Sequence, residues 1–183
     1  MTLTDPPPPD FDELTGGFSR EYGVEEITAA DLLRRLNGES PPLLFDVRTS
    51  REQSVSTIAG AILIQPGMDP TKTQAYREFR VGPGAPGDCI VFCTGGKRSA
   101  MAAADAKATD DAKRVLNLRG GLIAYANLGG KLVHPETGEP TLELHGYNEK
   151  WAAYIEAPTR GVLLPAIPPP EETQPEDTQK EGK

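Results

Sequence analysis

The chain has 183 residues, 37% of them hydrophobic, which suits one domain with a single sizeable core. Its net charge of -8 argues against a nucleic-acid-binding protein or one held on an anionic membrane by bulk charge, because phosphate binding needs a basic face. No stretch approaches the roughly 20 apolar residues that span a bilayer, and MTLTDPPPPDFDEL lacks a secretory signal, so a cytoplasmic protein is predicted.

Both ends of the chain are predicted to be disordered. Residues 1–20 contain a run of four prolines and scattered acidic residues, with no apolar periodicity to build a core. Residues 165–183 have the same kind of composition. Such tails serve as solubilising segments or as docking arms, and the composition favours the first.

Between the tails, helical patterns alternate with short apolar runs. Thr28 is a predicted N-cap for a helix over 29–36, whose apolar residues recur with helical spacing. The further predicted elements are strands at 43–47, 61–64, 89–92 and 114–118, helices at 71–79 and 98–108, and a loop at 82–88. Strands that alternate with helices over short loops favour parallel pairing. The predicted fold class is therefore α/β, with a central parallel sheet and helices on both of its faces.

A reactive cysteine is predicted where the strand at 89–92 ends, at Cys93. In open parallel sheets, ligands bind beyond the carboxyl ends of the strands. The residues that follow Cys93 and could form a binding loop are Thr94, Gly95, Gly96, Lys97, Arg98 and Ser99. Glycines let backbone amides converge on an anion, and a helix N-terminus and two cations add positive charge. These surroundings favour a thiolate, so Cys93 is predicted to be a nucleophile.

The other cysteine, Cys89, lies on the same strand and is predicted to be buried and inert. The two cysteines do not make a disulfide framework, and they lie too close along one strand for an easy bridge. Reduced thiols in a reducing compartment are therefore expected.

Three blocks of the sequence resemble the rhodanese-like sulfurtransferases. The loop CTGGKRS is similar to the C-x-x-G-x-R-S form of single-domain members, with Cys93 matching the persulfide-forming cysteine. FDVRTSREQSVSTIAGA is similar to the family's D-V-R, glutamate and H-I-P-G-A block, and VLNLRGGLIAYANLGGKLV to the segment that closes the domain. In the second block the matching residues are Asp46, Arg48, Glu52, Ile58, Gly60 and Ala61, whereas Thr57 and Ala59 depart from the pattern. The resemblance predicts a single rhodanese-like domain over 21–133.

What the resemblance implies is a sulfur transfer in two steps, without a cofactor. The Cys93 thiolate would take the outer sulfur of thiosulfate or a related small anionic donor, and the persulfide would pass it to a thiol or to cyanide. Backbone amides of residues 94–98 would hold the outer sulfur, while Lys97 and Arg98 would hold the donor's anionic end. The alternative is a sulfur-relay or sensing module that delivers the persulfide sulfur to a protein partner.

Loop length argues against a phosphatase. Four residues separate Cys93 from Arg98, and the dual-specificity phosphatases built on the same fold need one residue more to enclose a tetrahedral phosphate. The shorter loop surrounds a single sulfur atom.

The roles of several neighbouring residues are open at this point. Asp46 and Arg48 either touch the site or form a structural pair, and Glu52 is predicted to be a partner of Arg48. Neither His134 nor His145 has cysteines or carboxylates at metal-ligand spacing, so no metal site is predicted.

Residues 134–164 extend past the usual end of the domain. NEKWAAYI is predicted to form a short helix whose Trp151, Tyr154 and Ile155 lie on one face. We expect this C-terminal extension to pack on the domain as a cap, with a partner-binding element as the alternative.

Overall fold

The computed structural model describes residues 10–81, 88–109 and 115–164. Within these ranges, none of the helices combines the length and the apolar character needed to cross a membrane. The helices are α1 Phe11–Tyr22, α2 Ala29–Leu36, α3 Ser50–Gln53, α4 Gln74–Val81, α5 Lys97–Thr109, α6 Gly121–Asn127 and α7 Glu149–Ala152. The strands are β1 Glu26–Ile27, β2 Leu43–Asp46, β3 Thr57–Ile58, β4 Ile62–Leu63, β5 Cys89–Phe92, β6 Val115–Leu118, β7 Leu132–Val133, β8 Pro140–Thr141, β9 Glu143–His145 and β10 Arg160–Val162.

The centre of the fold is a five-stranded sheet in the order β1-β6-β5-β2-β4, and every pair of neighbours is parallel. Strand β5 lies in the middle, between β6 and β2. The carboxyl end of β5 is therefore flanked on both sides by other strand ends, which is where parallel sheets form their sites.

Helices cover both faces of this sheet, as the sequence predicted. On one face, Ile90 and Phe92 of β5 pack in a core with residues of α2 and α6. On the other face, Cys89, Val91 and Cys93 pack with residues of α4 and α5. The alternation follows from the two-residue period of a strand. It places both cysteines on the face covered by α5.

The helices and strands predicted between residues 28 and 118 are present, except that one predicted helix is divided into two shorter elements. Thr28 caps α2 as predicted, its side chain accepting the Asp31 amide at 3.1 Å. The helix predicted at 71–79 is instead a 3-10 turn at Pro70–Lys72 followed by α4, because Thr73 between them is extended. Residues 82–87 of the predicted loop lie outside the described residues.

The prediction of a disordered N-terminal tail over 1–20 is wrong for residues 11–20, which belong to α1. Asp10 caps the helix by accepting the amides of Asp12 and Glu13, and Gly23 ends it in the left-handed conformation. Phe11 packs against Tyr154, with ring centroids 5.1 Å apart. The prolines of the first residues obscured this apolar face. Residues 1–9 and the predicted tail at 165–183 lie outside the described residues.

The C-terminal extension, residues 134–164, contains three short strands and one helix. Strand β8 pairs with β7, which in turn pairs with β3, and both pairings are antiparallel. Strands β9 and β10 form a separate parallel pair. Between them, α7 begins at the cap Asn148, within the segment predicted to be helical, and carries Trp151 toward α1.

Packing of α1 on the domain can be tested with Phe11→Ala. Because the Phe11 ring is only partly buried, we expect a loss of about 2–3 kcal/mol in the free energy of unfolding, below the range for a fully buried ring. The control Glu21→Ala, on the exposed side of the same helix, should change it by less than about 0.5 kcal/mol. Urea unfolding measures both variants. If Phe11→Ala were as stable as the control, residues 11–22 would not be part of the packed domain.

Candidate active site

The loop after β5 turns tightly around the Cys93 sulfur. The Gly96 amide donates to Cys93 Sγ at 3.2 Å. Gly96 has a φ of +97°, and a Cβ there would lie 3.1 Å from the Gly120 nitrogen. Glycine is therefore required for the loop to present this amide to the sulfur.

The carbonyls of the same loop are held on its other side. The start of α6 supplies two amide donors, Leu122 to the Cys93 carbonyl at 2.9 Å and Ile123 to the Thr94 carbonyl at 3.1 Å. With these oxygens occupied by α6, the carbonyl dipoles are anchored away from the space that the loop encloses. Two successive amides of α6 thus fix the conformation of the loop.

A series of buried, hydrogen-bonded polar side chains leads from Cys93 to α1. Ser99 Oγ lies 3.5 Å from Cys93 Sγ, 3.2 Å from the Gly96 carbonyl oxygen and 2.7 Å from Asn117 Oδ1. The Asn117 amide donates to Ser19 Oγ of α1 at 3.0 Å. The sequence analysis missed Asn117, which is the polar residue in a strand otherwise made of Val and Leu.

Cys93 is only 2% exposed, but it lines an open cavity of about 150 Å³. The other lining residues are Thr94, Gly95, Lys97, Arg98, Met101, Tyr147 and Trp151. The structure therefore brings together four of the predicted loop residues with Cys93, and adds three side chains that the sequence analysis did not assign to the site.

Arg98 is paired with Glu52, which contradicts the predicted pairing of Glu52 with Arg48. The two guanidinium nitrogens of Arg98 donate to the two carboxylate oxygens of Glu52 at 2.7 and 2.6 Å. Thr94 Oγ1 also donates to Glu52, at 3.1 Å. The prediction failed because Glu52 lies near Arg48 in sequence, whereas the fold brings α3 against the start of α5.

The pairing with Arg98 lowers the pKa of the Glu52 carboxyl group. Burial opposes its ionisation, but hydrogen bonds and charge from Arg98, together with hydrogen bonds from Thr49, outweigh burial and lower the pKa from 4.5 to about 2. Arg98 also lies over the Tyr147 ring, with the guanidinium carbon 4.7 Å from the ring centroid. Its charge is thus matched by a carboxylate and covered by an aromatic ring.

Asp46 and Arg48 form a structural pair and are not among the residues that line the cavity. Arg48 Nε donates to Asp46 Oδ1 at 3.0 Å and Nη2 to Oδ2 at 2.7 Å, and both side chains are fully buried. Thr57, where the family pattern has histidine, donates to Asp46 Oδ2 at 2.8 Å. Arg48 also donates to the Ser56 carbonyl, so the pair joins the end of β2 to the start of β3.

Neither histidine lies in the cavity. His145 accepts the Tyr147 amide through Nδ1 at 3.1 Å, and burial lowers its pKa. Over the part of the chain that the structure describes, no group of three or more potential metal ligands comes together.

Comparisons with known proteins bear on this site. The model of the rhodanese-like domain matches residues 28–128. A curated sulfurtransferase from Allochromatium vinosum is 34% identical over 113 residues, which cover 62% of this chain and 98% of that protein.

Two solved structures are similar to parts of this chain. A thiosulfate sulfurtransferase from Pseudomonas aeruginosa aligns with a TM-score of 0.50 and 20% identity, over 79% of this chain and 26% of that one. A rhodanese-like domain protein from Staphylococcus aureus aligns with a TM-score of 0.47 and 25% identity, over 56% and 91% of the two chains.

The Glu52–Arg98 pair predicts an acid dependence of stability. Since the pKa of Glu52 is lower in the folded protein, its contribution is complete above its ordinary pKa of 4.5 and is lost as the pH falls toward 2. Glu52→Gln should therefore be less stable than the native chain at neutral pH, and this difference should shrink on acidification. Urea midpoints measured from neutral pH to about pH 2.5 test this. The exposed control Glu136→Gln should show no such convergence.

The buried Asp46–Arg48 pair predicts a large loss from a single substitution. Arg48→Met leaves the Asp46 carboxylate buried without its cation, and should cost about 3–5 kcal/mol of unfolding free energy. The double variant Asp46→Leu/Arg48→Met removes both charges and should recover part of that loss. Thermal and urea unfolding measure both. A cost for Arg48→Met below about 1 kcal/mol would show that the pair is not a structural element.

Proposed function

Since the chain belongs to the rhodanese-like domain family, whose model matches residues 28–128 of its 183, we propose that it is a sulfurtransferase that carries sulfur as a Cys93 persulfide. The observation that carries the proposal is the position of Cys93 Sγ, which accepts the Gly96 amide at 3.2 Å and lines an open cavity. A sulfur atom so placed has a donor to stabilise negative charge and space for an incoming group.

In the first step the donor is thiosulfate or a related small anion that carries a sulfane sulfur. The Cys93 thiolate attacks the outer sulfur of thiosulfate, and a new S–S bond forms. The S–S bond of thiosulfate breaks with its electron pair on the leaving sulfite. The products are a Cys93 persulfide anion and sulfite, so charge and electrons balance without any oxidant or cofactor.

Amides of residues 94–98 hold the outer sulfur of the persulfide in this proposal. The support is the anchoring of the Cys93 and Thr94 carbonyls by α6, which leaves the enclosed side of the loop to N–H groups. Ser99, within 3.5 Å of Cys93 Sγ, is a supporting hydroxyl behind the inner sulfur.

Lys97 is the residue that we assign to the donor's anionic end. Arg98, the other cation of the loop, donates from both terminal nitrogens, Nη1 and Nη2, to Glu52. It therefore contributes little uncompensated charge. Lys97 is exposed at the cavity, with Nζ 5.7 Å from the centroid of the Phe18 ring. A thiosulfate dianion approaching the cavity therefore meets the ammonium group of Lys97.

In the second step a thiol or cyanide takes the outer sulfur and regenerates the Cys93 thiolate. Both cysteines are free, and the nucleophile must stay reduced between turnovers, so we propose a reducing compartment such as the cytoplasm. Delivery to a protein thiol, the relay alternative, uses the same persulfide and differs only in the acceptor.

The matched pair Cys93→Ser and Cys89→Ser tests the proposal. Cys93→Ser should abolish thiocyanate formation from thiosulfate and cyanide, because serine has no sulfur to form a persulfide. Cys89 lines no part of the cavity, and burial together with the charge of Asp88 raises its pKa to about 12. Cys89→Ser should therefore retain activity.

Mass spectrometry gives a second measurement on the same variants. After incubation with thiosulfate, an adduct of one sulfur atom should appear on Cys93 in the native chain and in Cys89→Ser. Thiocyanate formation by Cys93→Ser at the native rate would contradict the proposal.

A further inference from the structure

One wall of the Cys93 cavity comes from outside the family-matched stretch. Tyr147 and Trp151 both follow residue 128, where the match to the rhodanese-like domain ends, and both line the cavity with Met101 of α5. The two rings of this apolar wall therefore come from a part of the chain distant from the catalytic loop, whereas Met101 belongs to the helix that follows the loop.

Trp151 is fixed in place by its neighbours. Its ring packs edge-on against Phe11 at 6.4 Å and in tilted contacts against Phe18 at 6.3 Å and Tyr154 at 6.2 Å, between ring centroids. Its amide donates to the Asn148 cap at 3.1 Å. A side chain with this many ring contacts forms a preformed surface, and a ligand would not have to order it on binding.

The Trp151 ring lies directly on the loop that follows Cys93. A Cβ at Gly95 would come within 2.6 Å of a carbon of this ring, so only glycine leaves room for the contact. The ring thus covers the loop backbone two residues from the nucleophile. An acceptor that enters the cavity can therefore contact this ring close to the Cys93 persulfide.

Of the two cations that line the cavity, Lys97 is assigned to the donor, and the charge of Arg98 is compensated. Arg98 is neutralised by Glu52, and the face of its guanidinium is covered by Tyr147. What the cavity offers on this side is the Tyr147 and Trp151 rings and the Met101 thioether, a flexible side chain that adapts to apolar ligands. Its volume of about 150 Å³ is the size of an engineered protein cavity that holds benzene.

We propose that this wall is a subsite for the sulfur acceptor, and that it selects thiols carrying a flat apolar group close to the sulfur. The inference rests on the proposed function, because it assigns the second half of the sulfur transfer. The thiosulfate donor, which is small and anionic, is assigned to Lys97 and needs no apolar contact with the wall.

The step balances with the acceptor as a thiolate. The Cys93 persulfide anion left by the first step takes up one proton, which the acceptor thiol releases on ionising. The acceptor sulfur then attacks the outer sulfur of Cys93–S–SH, and a new S–S bond forms. The Cys93–sulfur bond breaks with its electron pair on Cys93 Sγ. The proton stays on the transferred sulfur, so the products are an organic persulfide, R–S–SH, and the Cys93 thiolate.

The test compares two thiols of similar acidity, phenylmethanethiol and 2-mercaptoethanol, as acceptors for the persulfide-loaded native protein. Rapid mixing, with loss of the sulfur adduct followed by mass spectrometry, gives the second-order rate constant for each. We expect phenylmethanethiol to react at least about tenfold faster, a ratio equivalent to about 1.4 kcal/mol. Equal rate constants would overturn the subsite.

Variants of the wall residues test whether the preference for phenylmethanethiol arises from the wall. Met101 is 46% exposed, so Met101→Glu should fold normally while placing a charge beside the aromatic rings, and the preference should fall to below about threefold. Trp151→Ala should have the same effect. Leu142→Ala is the control. The Leu142 side chain belongs to the C-terminal extension, is 54% exposed and does not line the cavity, so this variant should keep the native ratio of rate constants. An unchanged ratio in both wall variants would overturn the proposal.

A binding measurement separates this proposal from the one on which it rests. Trp151 is the chain's single tryptophan, so its fluorescence reports on the cavity wall directly. Phenylmethanol titrated into Cys93→Ser should change this fluorescence, and Met101→Glu in the same background should weaken the response at least about threefold. If Cys93 takes up sulfur but no preference and no binding are found, the subsite alone fails. If Cys93 takes up no sulfur, both proposals fail, even where phenylmethanol binds.

Discussion

The site depends on the directions in which the backbone carbonyl and amide groups of the Cys93 loop point. The carbonyls of Cys93 and Thr94 accept amides from the start of α6, while the Gly96 amide turns inward to the Cys93 sulfur. A buried backbone group that lacks a partner is costly, so α6 both satisfies the carbonyls and commits the loop to one conformation. The environment of the sulfur is set by this division before any charged side chain is considered.

Two ion pairs then stabilise the surroundings of the loop without lying at its centre. The fully buried Asp46–Arg48 pair holds the end of β2 to the start of β3, and Glu52 connects the α3 capping box to Arg98 at the start of α5. Removing one member of such a pair leaves the other charge buried, which makes both positions sensitive to substitution. Arg98, which the loop motif suggested as an anion-binding residue, donates from both terminal nitrogens, Nη1 and Nη2, to Glu52.

Much of the domain could be predicted from the sequence, because its signals are local. The apolar run CIVF, the capped α2 and the glycines after Cys93 each determine their own conformation, and the parallel sheet follows from their order. Helix α1 was missed because prolines dominate the composition of the first residues and conceal the spacing of Phe11, Leu14 and Phe18. Composition averages over a segment, whereas a helix needs only one apolar face.

The residues at the site that were paired wrongly or not predicted depend on distant contacts. Glu52 was paired with Arg48, four residues away, but its partner Arg98 follows 46 residues later. Asn117 reaches the site only because β6 lies beside β5, and Trp151 only because α7 packs on α1. No local pattern encodes such contacts, since they arise when segments with compatible surfaces meet in the folded chain.

The aromatic cluster of Phe11, Phe18, Trp151 and Tyr154 joins a helix that precedes the family-matched stretch to one that follows it. The two rings of the proposed acceptor wall, Tyr147 and Trp151, therefore lie outside the family-matched stretch that contains the Cys93 loop. Drift in these flanking helices can reshape the entrance while the sulfur-bearing turn stays intact. Substitutions in these two helices can therefore change which acceptors fit the cavity while the Cys93 loop keeps its conformation.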